Sequence, residues 1–193
     1  ADGCNWGPRP RQAAMRACEA IIDQVADREV QLAMKDTLDC KHLILRAFDV
    51  AHKKIVEGHD SPWDAGTTTL IAGVIGEIDG DADEWALVAV NVGDCKAFVY
   101  NGDSKQVIDV TMGNRNNLRD ARDCGGRLGA HLDGALPDLR NLASYFWPVK
   151  SNDMVFVVTD GVHDNCMYQT LLCTHPPVDP ETMGKTTKEI AYM

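Results

Sequence analysis

Hydrophobic positions near the start of the chain recur at helical spacing. Residues 8–26 carry one apolar stripe, and Pro8 suits the first turn of a helix. The stripe consists of Ala14, Ala17, Cys18, Ile21, Ile22 and Val25. Residues 37–58 show the same spacing and end at a glycine after two lysines, which is typical of a helix C-terminus. The pattern predicts two amphipathic helices.

After residue 66 the pattern changes to short runs of β-branched and apolar residues. Six runs predict strands, at residues 67–78, 84–93, 96–103, 106–111, 143–149 and 153–160. Short turns rich in glycine and aspartate join the first four runs, as in antiparallel hairpins. The irregular, glycine-rich residues 123–134 predict a mobile loop. Beyond residue 165 we expect two proline breaks and one short terminal helix.

The order of the elements bears on the fold class. Helices come first and strands follow, which favours α+β over alternating βαβ units. No internal repeat or linker is visible, and 193 residues suffice for one sizeable core. We therefore expect a single α+β domain over residues 1–193.

Composition excludes several classes of protein. The formal net charge of −10 argues against nucleic acid as a partner, because phosphates attract basic surfaces. No apolar run approaches the roughly 20 residues of a membrane span, and no signal-peptide pattern is visible, so no membrane partner is expected. Seven cysteines without a C-x-x-C pair argue against a zinc ribbon or a disulfide framework. Reduced thiols predict an intracellular protein, in the cytoplasm or the nucleus.

Aspartates recur beside glycines at the ends of apolar segments. The pairs are Asp2-Gly3, Gly93-Asp94 and Asp160-Gly161, and Asp164 follows the last pair. If these segment ends converge, four carboxylates meet, and a divalent cation would offset their repulsion. Oxygen ligands favour Mg²⁺ or Mn²⁺ over zinc, and the carbonyl oxygen of Gly3 could add to them. Water bound to such an ion is acidic enough to yield a nucleophile for attack on phosphorus.

Each of these pairs also has a purely structural interpretation. A β-branched run closed by Asp-Gly is an ordinary strand followed by a turn. The recurrence of the pattern in three places is what favours a site.

Four segments resemble, in order and spacing, the successive motifs of a known enzyme family. They are "ADG" (1–3), "AGTTTL" (65–70), "VNVGDCKAFVY" (90–100) and "VVTDGVHDN" (157–165). Together they are similar to the motifs of the metal-dependent type-2C serine/threonine protein phosphatases, the PPM family. The resemblance implies an antiparallel β-sandwich flanked by helix pairs, in α-β-β-α layers. It also implies a binuclear Mg²⁺ or Mn²⁺ centre, with a third ion held more loosely.

The resemblance also implies roles for individual residues. Asp2 matches the aspartate that bridges two ions, and Gly3 matches a glycine whose carbonyl oxygen binds one of them. Asp160 matches a second metal-binding aspartate, so Asp2 and Asp160 would be catalytic through the ions. Asp94 and Asp164 match the pair associated with the third ion.

Other positions match less directly or depart from the family. Thr68 matches a threonine that lies behind the ligands, and residues 123–129 lie where the family carries a variable flap, a possible surface for protein partners. Cys4 replaces a histidine that is the family's proposed general acid. Its thiol has a proton to give, with an ordinary pKa of about 8.5. The family's upstream acidic pair and arginine, and its closing metal-binding strand, have no counterpart here, so we expect a domain incomplete at both ends.

Three competing motifs are weaker. Residues 79–85 alternate aspartates as an EF-hand loop does, but Glu84 stands where glycine is needed and Val90 where glutamate is needed, which favours a hairpin turn. Residues 124–129 lack the Lys-Ser/Thr of a phosphate-binding P-loop. His163 is expected to be a packed ring, not a ligand.

Two functions of different classes remain. One is a hydrolase, a metal-dependent phosphatase that removes phosphate from serine or threonine of phosphoproteins. The other is a pseudophosphatase, in which the same fold acts as a binding or scaffold module. The retained Asp2, Asp94, Asp160 and Asp164 favour the enzyme. Cys4 and the absent upstream segment favour the scaffold.

Overall fold

A computed structural model describes residues 1–27, 36–77, 84–114 and 123–163. In these ranges the chain is mixed α and β, and all the strand pairings are antiparallel, which is compatible with the α+β class. The expected terminal helix and Asp164 lie outside the described residues. No helix in the described ranges is long and apolar enough to cross a membrane.

The two helices form close to where the sequence predicts them. Helix α1 spans Pro8–Val25 and helix α2 spans Thr37–Val56. Asp36 precedes helix α2 and caps it, because its carboxylate accepts a hydrogen bond of 2.8 Å from the backbone nitrogen of Asp39. This is an ordinary N-terminal cap, and two lysines in the last turn complement the helix dipole at the other end.

The buried face of α1 differs from the predicted stripe. Ala13, Ala17 and Ala20 are buried, whereas Cys18 is exposed and Ile22 is 62% exposed. Alanines lie on both sides of this helix, so hydrophobic spacing alone does not select one face. The selected face carries the smallest side chains because α1 packs closely against α2 and the first strand.

Six strands form the larger sheet, in the order β7-β6-β2-β3-β8, with β1 paired to β2. Their bounds are β1 Asp2–Gly3, β2 Thr68–Glu77, β3 Glu84–Val92, β6 Arg127–Leu132, β7 Leu136–Asp138 and β8 Ala143–Lys150. The smaller sheet has the order β5-β4-β9, with bounds β4 Lys96–Asn101, β5 Gln106–Asp109 and β9 Met154–Val158. Two 3-10 helices, Pro62–Asp64 and Asp133–Ala135, connect other elements.

The prediction of a mobile loop over residues 123–134 is wrong, because residues 127–132 form strand β6 and a 3-10 helix follows at Asp133–Ala135. Leu128 pairs with Thr68 of β2. Gly129 has φ +95°, and a Cβ there would lie 2.4 Å from the carbonyl oxygen of Gly66. The glycine that predicted a loop instead lets two backbones approach closely.

The elements form three layers. Helix residues such as Ile44 and Phe48 pack on one face of the larger sheet, against Val88 and Val90 of β3. The alternate β3 residues, such as Leu87, face the smaller sheet. The second helix layer implied by the family resemblance is not seen among the described residues, so the full α-β-β-α layering stays a prediction.

The packing of α2 gives a first test. Ile44→Ala should lower the free energy of unfolding by about 2–5 kcal/mol, because it leaves a cavity between the helix layer and the sheet. Ile22→Ala removes the same atoms from an exposed position and should change stability by no more than about 0.5 kcal/mol. Urea unfolding of both variants measures the difference. Equal losses would contradict the assigned faces.

Candidate functional site

The start of strand β2 brings two of the predicted segments together. Asp2 of β1 pairs with Thr69. Val92 of β3 pairs with Leu70, so the next residue, Gly93, lies beside Thr69. A Cβ on Gly93, whose φ is +100°, would lie 2.4 Å from Cγ2 of Thr69. The Asp2-Gly3 and Gly93-Asp94 segments therefore meet at Thr69.

The smaller sheet brings the third segment to the Gly93-Asp94 turn. Lys96 of β4 pairs with Val158 of β9. Because the pairing is antiparallel, Asp94, two residues before Lys96, and Asp160, two residues after Val158, lie at the same end of the sheet. The ring nitrogen Nε2 of His163 lies 3.1 Å from the carbonyl oxygen of Asp94. His163 is buried, as expected of a packed ring.

The charges of Asp2 and Asp94 both act on the pKa of the same residue, Cys95. Burial raises the pKa of the Cys95 thiol to about 11, and the charges of Asp94 and Asp2 both add to this increase. The Thr69 hydroxyl, 3.2 Å from the Cys95 sulfur, opposes the shift. Cys95 is thus a buried neutral thiol that lies within the field of both carboxylates.

Hydroxyl groups hold the backbone of Asp2. Thr68 is buried and donates a hydrogen bond of 2.7 Å to the carbonyl oxygen of Asp2. Thr69 donates a second one, of 3.3 Å, to the same oxygen. Thr68 therefore acts on the backbone of Asp2, and its predicted role behind the ligands stays a prediction.

Gly3 has a steric reason to be glycine. A Cβ at this position would lie 2.6 Å from the backbone of Pro10, in the first turn of α1. Any larger residue would push β1 away from the helix. The close approach fixes the position of β1 against the helix. It therefore also fixes the positions of the Gly3 carbonyl oxygen and the Asp2 backbone.

Asparagine side chains brace the turn before Asp94, and sequence reasoning missed them. The amide oxygen of Asn141 accepts a hydrogen bond of 2.9 Å from the nitrogen of Gly93. Its amide nitrogen lies 2.9 Å from the carbonyl oxygen of Gly93, 2.8 Å from that of Asn114 and 3.3 Å from that of Cys124. Asp94 itself is only 2% exposed. Asn141 and Asn114 belong to none of the recognised motifs, so the sequence carries no signal for them.

Cys4 lies against a second thiol. Its sulfur is 3.9 Å from the sulfur of Cys124. The hydrogen bond with Cys124, followed by burial, raises the pKa of Cys4 far above its ordinary range. The same hydrogen bond lowers the pKa of Cys124 to about 7, and the charge of Arg127 contributes, while burial opposes the shift. A raised pKa makes Cys4 a weaker proton donor than an ordinary thiol. Its role as a general acid stays a prediction.

A cleft of about 490 Å³ opens beside Cys4. Its walls include Trp6, Trp63, Arg9 and Arg127. Trp6 is 99% exposed. The Nε atom of Arg127 is buried and has no hydrogen-bond partner in the described part of the chain. The cleft therefore offers aromatic surface and a cationic group next to the Asp2-Gly3 segment.

The donor chemistry of this region suits a hard cation, but the described side chains do not assemble a complete ligand set. Carboxylate and carbonyl oxygens are the ligands that Mg²⁺ and Mn²⁺ prefer. Within residues 1–27, 36–77, 84–114 and 123–163, no three histidine, cysteine, aspartate or glutamate side chains form a group that could hold an ion. Asp164, one of the predicted ligands, lies outside those ranges. The metal ligands stay predictions.

The bracing of the Gly93 turn can be tested directly. Asn141→Ala should lower the free energy of unfolding by about 3 kcal/mol, because it leaves buried backbone groups at Gly93 and Cys124 without this partner. Asn101→Ala removes the same side chain from the end of strand β4, where its amide oxygen accepts an exposed hydrogen bond of 2.8 Å from the backbone nitrogen of Ser104, and should cost about 1 kcal/mol or less. Denaturant unfolding compares the two. A loss for Asn141→Ala no larger than that of the control would be inconsistent with the bracing.

Comparison with known proteins supports the resemblance at a coarse level. The chain is 32% identical over 170 residues to a PP2C-like domain-containing protein of Drosophila melanogaster. The alignment covers 86% of this chain and 23% of the relative, so the chain spans about a quarter of that protein's length. No family model matches the chain. The similarity suggests that the chain is PP2C-like, and the relative's name points towards a protein phosphatase.

Proposed function

We propose that the chain belongs to a metal-dependent phosphatase that acts on phosphoserine or phosphothreonine in proteins. The observation that carries the proposal is the convergence of three separate Asp-Gly segments. β1 and the end of β3 meet at Thr69, and the β4–β9 register brings Asp94 and Asp160 to one end of the smaller sheet. The PP2C-like relative supports the same class of reaction.

The proposed ligands are the oxygen donors of these segments: Asp2, Gly3, Asp94, Asp160 and Asp164, for two Mg²⁺ or Mn²⁺ ions and a third held more loosely. When bound, such ions make water acidic enough at neutral pH to attack phosphorus, and they offset charge on the phosphoryl oxygens. Carboxylates gathered in this way would repel one another, and a scaffold has no need of them. Their retention therefore favours an enzyme.

The chain's own residues would position the reacting groups. Thr68 and Thr69 fix the backbone of Asp2, and Gly3 keeps β1 against α1. Asn141 holds the turn that presents Asp94. The cleft beside Cys4 would receive the phosphorylated peptide, with Arg127 available to attract the phosphate charge.

A pseudophosphatase is the second candidate, and one observation favours it. Cys4 stands where the family has a histidine, and its hydrogen bond with Cys124 raises its pKa. A thiol in this state is a poor general acid, so protonation of the leaving group would depend on another donor. In this second proposal the same fold binds a partner protein without hydrolysing it.

Metal binding can be measured without any activity. Mn²⁺ at about 100 times its Kd should raise the thermal midpoint of the chain by roughly 5–10 °C relative to EDTA, because a ligand bound only to the native state stabilises it. Asp160→Asn should reduce this shift. Asp103→Asn removes the same charge from the exposed turn between β4 and β5 and should leave the shift intact. Equal midpoints in Mn²⁺ and EDTA would exclude the proposed site.

Activity is tested on phosphoserine and phosphothreonine peptides. Phosphate release should require Mn²⁺ or Mg²⁺ and stop in EDTA. Asp160→Asn should reduce turnover by at least about 10²-fold, the size of effect expected when one group that stabilises the transition state is lost. Asparagine can still accept the hydrogen bond from Gly161, so the fold should be preserved.

The control for the activity test is again Asp103→Asn, which should turn over substrate like the unchanged chain. Full activity in Asp160→Asn would overturn the catalytic assignment. A chain that binds metal but releases no phosphate from any peptide would favour the pseudophosphatase.

A further inference from the structure

Two cysteines that lie far apart in sequence meet beside the cleft. The Sγ atoms of Cys4 and Cys124 are 3.9 Å apart, although 120 positions separate the residues along the chain. We propose that Cys4 and Cys124 are an oxidation site, at which a hydroperoxide converts the two thiols into a reversible intramolecular disulfide. The proposal concerns the thiols alone and holds whether or not the chain hydrolyses phosphate.

Hydrogen bonds fix the backbone at both cysteines, so the fold itself keeps the two sulfurs in contact. The nitrogen of Cys4 donates a hydrogen bond of 2.9 Å to the carbonyl oxygen of Thr67 in the turn before β2. The carbonyl oxygen of Cys124 lies 3.3 Å from the amide nitrogen of Asn141. A disulfide needs the sulfurs to approach by roughly 2 Å. Rotation of the two short side chains can supply much of that distance without unfolding either segment.

The surroundings allow the reaction. Cys4 and Arg127 line the open cleft, which gives a small oxidant a path to the pair. Cys124 lies behind Cys4 and is 8% exposed. The positive charge of Arg127 stabilises a thiolate at this place, and the thiolate is the reactive form of cysteine. The contact between the two sulfurs gives the same disulfide whichever of them reacts first.

The chemistry balances with a hydroperoxide as the oxidant. In the order that begins at Cys124, its sulfur attacks one peroxide oxygen, the O–O bond breaks, and the other oxygen leaves as water or an alcohol after taking up the thiol proton. Cys124 is then a sulfenic acid. The sulfur of Cys4 attacks the sulfur of Cys124, the S–S bond forms, the S–O bond breaks, and the hydroxyl leaves as water with the proton of Cys4. The two thiols lose two electrons, which the peroxide gains.

Peptide mapping of the whole 193-residue chain tests the proposal. The reduced chain is exposed to hydrogen peroxide, the remaining thiols are blocked with iodoacetamide, and trypsin digestion is followed by mass spectrometry. Trypsin does not cut before Pro10, so Cys4 is recovered in peptide 1–11 and Cys124 in peptide 123–127. The expected product is these two peptides joined by a disulfide. Its yield should be at least tenfold that of any disulfide that includes the exposed Cys18. Treatment with dithiothreitol should separate the two peptides.

Matched variants sharpen the result. Cys18→Ser removes an exposed thiol outside the cleft and should leave the linked product unchanged. Cys124→Ser should abolish it and leave Cys4 recoverable as the alkylated peptide. The oxidised unchanged chain should also melt at a higher temperature than the reduced chain, because the bond closes a long loop of the unfolded state.

Two outcomes would overturn the proposal, and both are measured on the unchanged chain. One is full alkylation of Cys4 and Cys124 at a peroxide concentration that already oxidises Cys18. The other is a preferred bond between Cys4 and any cysteine other than Cys124. Phosphate release plays no part in this measurement, so its result is separate from that of the phosphatase tests.

Discussion

The arrangement of the proposed site depends on Thr68 and Thr69, the first two residues of strand β2. Thr68 pairs with Gly3 on β1 and with Leu128 on β6, so three strands meet at one residue. Its hydroxyl and that of Thr69 both bond to the carbonyl oxygen of Asp2. Thr69 also packs against the Gly93 turn and contacts Cys95. Because no water can replace these contacts at buried positions, a change at either threonine would move several segments of the proposed site together.

Buried polar groups, more than apolar ones, fix the geometry at this end of the sheets. Three asparagine side chains, of Asn91, Asn114 and Asn141, bond to the carbonyl oxygen of Gly93. One of them, Asn141, also reaches the segment that carries Cys124. The amide nitrogens tie three parts of the chain to one backbone group, whereas the amide oxygens of Asn91 and Asn114 are buried and find no hydrogen-bond partner in the described part of the chain. The network thus links the Asp94 turn to the thiol pair, which belongs to a different part of the sequence.

Cys4 departs from the motif of the phosphatase family that the sequence resembles, and the structure gives this departure a chemical meaning. A histidine at this position could exchange a proton near neutral pH, whereas a thiol beside Cys124 keeps its proton and gains a redox partner. The same substitution that weakens the expected acid catalysis therefore creates the possibility of oxidation. Enzyme and pseudophosphatase share this feature, because it depends on the sulfur contact and not on turnover.

The sequence by itself determined the two helices, the order of most strands and the Asp-Gly segments, because helical spacing, β-branched runs and turn residues are local signals. It failed where the outcome depends on partners distant in sequence. The alanine face of α1 is selected by α2 and β1, and Gly129 belongs to a strand because Gly66 lies against it. Sequence motifs indicated that Asp2, Asp94 and Asp160 belong together, but strand register decided how their segments meet. Only the tertiary structure brought Asn141 to Gly93 and Cys124 to Cys4, because no motif includes Asn141 or links Cys124 to Cys4, and local patterns do not record contacts between residues about 50 to 120 positions apart.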